Sequence, residues 1–166
     1  MTQPSLRSVE VANFEALLER LTTELASTAP QYDDSGAFPH ANFQLLQEHG
    51  LVALTVPKAL GGGGASLPQA RRAISAIAKG EPSTALILVM QYLQHTRLQD
   101  SKTWPPHLRV KVAEDAVRNG ALINALRVEP DLGTPARGGL PATTAVRTPK
   151  AGASAGASST PPAATA

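Results

Sequence analysis

The 166-residue chain contains no cysteine, which excludes structural disulfides and thiolate chemistry. Aromatic residues are scarce at 4%, and charged residues make up only 17%. The net charge of +2 comes from scattered Lys and Arg, with Arg71-Arg72 as the one doublet, so no basic patch marks a nucleic-acid partner. Long hydrophobic runs are also missing. The longest, Ala85 to Met90, is far too short to cross a bilayer. The opening MTQPSLRSVEVANFEALLERL has no apolar run behind a basic stretch, which argues against a signal peptide. The expectation is a soluble, cytoplasmic protein with neither a membrane nor a nucleic-acid partner.

What is present reads as helix. The apolar fraction of 42% is ordinary, and the length suits one domain, or one domain and a piece of another. Phe14, Leu17, Leu18, Leu21 and Leu25 recur at helical spacing, and Pro30 with the following DDSG predicts a loop. A second helix is expected from about Pro39, with Phe43 and Leu46 inward and Gly50 as its left-handed cap. LVALTVP reads as a short extended segment, and KALGGGGAS as a glycine-rich loop. Ser66 and Gln69 form a capping-box pair ahead of a third helix whose expected buried stripe is Ile74, Ile77 and Ala78. A fourth helix from Pro82-Ser83 is apolar almost all round, the mark of a bundle centre. A fifth runs from Pro105-Pro106 to Asn119-Gly120, with Leu108, Val112, Ala113, Ala116 and Val117 on its apolar side. ALINALRVEP and ATTAVRT read as strands. The fold class is mainly α: a five-helix N-terminal domain, one or two strands of an incomplete β domain, then a disordered tail. The boundaries are 1–121, 122–148 and 149–166.

Few residues suggest chemistry. His40, His49, His95 and His107 are far apart and lack metal-ligand spacing. Gly61 to Gly64 invites a phosphate-loop reading, but Ala65-Ser66 stands where a P-loop needs Lys-Ser/Thr, and Ser66 replaces the third glycine of a dinucleotide fingerprint. A mobile or tightly turned loop is the simpler reading. Ser83 and Thr84 read as helix-capping residues rather than nucleophiles, and Met90 and Tyr92 as core.

In combination, several segments resemble the acyl-CoA dehydrogenase family. Gly50-Leu51 through Val56-Pro57, then Leu60-Gly61-Gly62 and Gly64, match a helix end, a run to proline and a Gly-Gly-x-Gly turn. Glu129-Pro130-x-x-Gly133-Thr134 is similar to the Glu-Pro-x-x-Gly-Ser that opens the family's middle β domain. The likeness covers roughly residues 10–148. It implies FAD or FMN held between a middle β domain and a C-terminal helical bundle, and an acyl-CoA-like substrate oxidised at a CH–CH bond. Related members are flavin-dependent monooxygenases. The resemblance also implies flavin contacts at Asn124, Val128 (through its N–H, since valine stands where many members carry threonine) and Thr134. It implies no catalytic residue and no metal in this chain.

The stretch AGASAGASSTPPAATA, residues 151–166, holds only Ala, Gly, Ser, Thr and Pro. Back-translated over residues 148–163 and read one nucleotide earlier, the chain permits E-G-W-R-I-S-G-R-K-L-Y-S-T-G, which is similar to a segment the family carries there. The expectation is a frameshift near Val146 to Pro149 and a fragment inactive by itself. The alternative is a non-catalytic helical interaction module that associates with itself or with an intact relative.

Overall fold

The computed structural model describes residues 6–125, 144–147 and 152–155. Two compact units divide the chain, residues 1–124 and 125–166. The first holds five helices: α1 (Leu6–Ser35), α2 (His40–Glu48), α3 (Leu67–Gly80), α4 (Pro82–Gln99) and α5 (Pro106–Asn119), with a short 3₁₀ turn at Lys58–Leu60. The five expected helices are all present. Within the second unit, β1 (Thr144–Arg147) pairs antiparallel with β2 (Gly152–Ala155), Thr144 opposite Ala155 and Arg147 opposite Gly152. β1 is the strand expected in ATTAVRT. β2 falls within the stretch that reads as a disordered tail, which is a difference from expectation. A ladder is made by backbone groups, so small side chains do not forbid it.

The core of the helical unit lies where α1, α3 and α4 meet. Leu18, Leu21 and Leu25 of α1 are buried with Leu46, Ile77 and Leu88, and each such side chain contributes about 1.5–3 kcal/mol through burial. α3 presents Ala70, Ala73, Ile77 and Gly80 inward, whereas Ile74 and Ala78 are only half-buried. The sequence pattern favours the larger residues, but the close approach of α1 selects the small ones. A Cβ at Gly80 would sit 2.5 Å from the Thr22 carbonyl oxygen. The Thr22 hydroxyl fixes the same contact by donating to the Ala76 carbonyl at 2.9 Å.

Two local expectations, one of a loop and one of an extended segment, are corrected. α1 continues through Pro30 to Ser35. Proline removes one backbone donor, but the helix is anchored on either side of it. Leu25 is buried before it, and after it the Gly36 N–H reaches the Tyr32 carbonyl at 2.9 Å, with Gly36 at φ +63°. The segment LVALTVP is coiled rather than extended. Leu54 N–H donates to Leu51 O and Val56 N–H to Ala53 O, at 3.3 and 3.1 Å. Among the described residues no strand lies alongside to pair with it, and its carbonyls are satisfied by the glycine turn folding back. Gly63, Gly64 and Ala65 donate to Ala53, Val56 and Leu54 at 2.8–3.1 Å. A second small cluster, Ala53 and Val56 against Ala113 and Ala116, seats α5 on this coil.

Candidate functional site

Gln91 and His95 stand four residues apart, on one face of α4. Gln91 is 1% exposed and His95 3%. The Gln91 amide nitrogen donates to the Ala121 carbonyl at 3.0 Å, and its oxygen accepts from the Ile123 N–H at 2.8 Å. One carboxamide therefore grips residues 121–123 on both polar edges, much as a neighbouring strand would. The same amide nitrogen lies 3.1 Å from His95 Nε2. Since the oxygen is taken by Ile123, His95 Nε2 must accept, which places the imidazole proton on Nδ1. Burial pushes the His95 pKa down, the direction a neutral ring requires.

His95 also borders a cleft of about 260 Å³ between the 3₁₀ turn, α4 and α5. Leu60, Leu98, Pro106 and Val110 make it apolar. Arg109 on its rim is tied down, Nη1 donating to the Gln99 carbonyl at 2.9 Å. The cleft can admit a small apolar group but brings no acid beside a base.

The glycine turn is no anion cradle. The N–H groups of Gly61 to Gly64 and of Ala65 all donate to nearby carbonyls, so none is left to hold phosphate. Of the two simple readings of this loop, the tight turn is the one that holds. At the head of α4 the capping group is Glu81, its carboxylate accepting from Ser83 N–H at 2.9 Å and Thr84 N–H at 2.6 Å. Burial alone would raise the Glu81 pKa, but the bonds from Thr84 and Ser83 outweigh it and hold it below the ordinary carboxylate value. Ser83 and Thr84 are thus capped, not capping. Thr84 is buried and accepts from Asn42 Nδ2 at 3.0 Å. Tyr92 is core, as expected, with its hydroxyl donating to the Leu51 carbonyl at 2.7 Å. Among the described residues no three His, Asp or Glu side chains converge as a metal site, and no helix is long and apolar enough to cross a membrane.

Of the three residues to which the family likeness assigns flavin contacts, Asn124 stands one residue past the Gln91 grip and is exposed. Val128 and Thr134 lie outside the described residues. Residues 121–125, expected as strand, are without regular structure. Among the described residues no convergent set of donors that fits a flavin is seen, and no step through the cofactor follows from them. Sequence reasoning misses Gln91 and passes over His95. The available signal is a pair of polar residues at helical spacing on an otherwise apolar helix.

The model of the acyl-CoA dehydrogenase N-terminal domain matches residues 13–98. YdbM of Bacillus subtilis (strain 168), named as a putative acyl-CoA dehydrogenase, is 35% identical over 128 residues, 77% of this chain and 33% of that protein. SfnC of Pseudomonas putida, named as a probable FMNH2-dependent monooxygenase, is 32% identical over 78 residues, 47% of this chain and 20% of that one. Among solved structures, FMN-bound TdsC from Paenibacillus sp. A11-2 superposes with a TM-score of 0.70 at 19% identity, over 84% of this chain and 33% of that one. That likeness is one of fold. KijD3 in complex with dTDP gives a TM-score of 0.55 at 30% identity, over 63% of this chain and 28% of that one. The chain spans about a third of the length of YdbM and of TdsC. The helical unit, its glycine turn and the family match over α1 to α4 agree, and the chain belongs to the acyl-CoA dehydrogenase family, whose N-terminal domain it carries.

Proposed function

We propose that this chain is the N-terminal part of a flavin-dependent oxidoreductase of the acyl-CoA dehydrogenase type, acting on CH–CH groups of acyl thioesters in the cytoplasm, and that it is inactive alone. The observation that carries this reading is the Gln91 grip on residues 121–123, which delivers Asn124 to the end of the helical unit, five residues before Glu129-Pro130 in sequence. Residues 122–148 open the middle β domain in this reading, and Val128 and Thr134 add flavin contacts from it. The off-frame reading of residues 148–163 belongs to the same proposal, and sequencing the coding DNA across codons 144–152 checks it. Likeness to SfnC supports a monooxygenase as the alternative parent.

The test is a graft. Residues 13–124 replace the equivalent segment of YdbM, and the purified chimera is examined for bound flavin and for bleaching by acyl-CoA. A flavin-loaded chimera that acyl-CoA reduces is expected. A folded but colourless chimera contradicts the reading. Colour without acyl-CoA reduction, but with oxygen-dependent flavin turnover, favours the monooxygenase parent.

A second reading has its own observation. Leu86 and Leu93 of α4 are 66% and 45% exposed, seven residues apart on one face. Such a surface suits an interaction module, whose partner would be a second copy or an intact relative. Concentration-dependent association of the full chain, abolished by Leu86→Lys and Leu93→Lys together, is the expected outcome under that reading.

A further inference from the structure

Gln91 is a buried amide whose bonds join α4 itself, through His95, to residues 121–123, through two short bonds. A buried amide satisfied on both ends has only one orientation that works. Here the Ala121 carbonyl and the Ile123 N–H select it. If the carboxamide turned over, its oxygen would face the Ala121 carbonyl and its nitrogen the Ile123 N–H.

We propose that Gln91 is the positioning residue that sets the register of residues 121–124 against α4, and with it the place of Asn124. This rests on the reading that Asn124 borders a flavin site, but its test does not involve flavin. The charged side chain lining the cleft beside His95 is Arg109, bonded to Gln99 O. Tyr92, the neighbouring titratable group on α4, has its pKa pushed up by burial and stays neutral.

The experiment uses the full chain with two variants. Gln91→Met fills the same space without polar atoms. Amide exchange at Ile123 is then expected to quicken on the order of tenfold, the effect of losing one buried hydrogen bond, with Leu88 in the α4 core unchanged. Gln91→Glu keeps an oxygen for the Ile123 N–H, sets its other oxygen against the Ala121 carbonyl and places a carboxylate beside His95 Nε2. Ile123 exchange should quicken here too, because the repulsion at Ala121 loosens the register, and the His95 titration, followed by imidazole chemical shifts, should move upward. Unchanged exchange at Ile123 in Gln91→Met overturns the proposal, as does a His95 titration that fails to rise in Gln91→Glu. Should Gln91→Met not fold, the two readouts on Gln91→Glu decide alone. A colourless chimera in the graft would count against the flavin reading while leaving these outcomes standing.

Discussion

Gly62 shows how little freedom the glycine turn has. A Cβ there would overlap the backbone of Val56, and neither partner can move without straining the Gly64-to-Val56 bond of 2.8 Å. Gly62→Ala should therefore cost about 1–3 kcal/mol, as overpacking does. Urea denaturation measures it, and an unchanged midpoint would count against the fold-back geometry. Among the described residues, His95 and Glu81 have shifted pKa values that bear on the acid side of the stability profile. His95 has a lowered pKa in the folded state, so the unfolded chain binds the extra proton. Stability should be full above the ordinary histidine value of about 6.5 and fall as pH drops through it. Glu81 is also lowered, so its contribution is present above the ordinary carboxylate range and lost as pH falls through the depressed value. His95→Gln should flatten the first decline and leave the second. Glu81→Ala should cost about 1 kcal/mol near neutral pH, the usual worth of an N-cap. At this scale the sequence is legible where chemistry is local. Gln69 Oε1 does accept the Ser66 N–H at 2.9 Å, and Gly120 takes the left-handed conformation at φ 64° that ends α5. It is not legible where partners are distant in the chain, as with Gln91 and Ile123.

Among elements, α4 departs most from its sequence pattern. Apolar character all round places it at the bundle centre, and one side is indeed there, with Leu88 fully buried. The other side carries Leu86 and Leu93 into solvent. Periodicity cannot separate a face covered within this unit from one covered by something else, because both are apolar. The two faces should respond differently to mutation. Leu88→Ala is expected to cost about 2–5 kcal/mol, as for a buried leucine. Leu86→Lys is expected to stay within about 0.5 kcal/mol of the parent while weakening retention on a hydrophobic column. Equal costs in a denaturation series would show that the burial pattern of α4 is wrong. Helix α1 offers the complementary lesson. Pro30 reads as a stop, yet the helix runs on to Ser35, because packing on one flank and the closing Gly36 bond on the other outweigh one missing donor.

The molecule as a whole is legible through the order of its segments rather than through any single motif. The helix end at Gly50, the run to Pro57, the glycine turn and the later Glu129-Pro130 each occur by chance in many chains. Taken in order they point to the family that the match over residues 13–98 confirms. The site is less legible. Of its three expected residues only Asn124 is described, and Gln91, which we propose positions it, stands 33 positions earlier. On the proposed reading, this polypeptide contributes one wall of a flavin pocket and lacks enough of the others to hold the cofactor. Equilibrium dialysis of the full chain against FAD, and separately FMN, tests that claim most directly. No flavin should be retained above a buffer control, and no flavin absorption band should shift. One flavin bound per chain, surviving gel filtration, would contradict it.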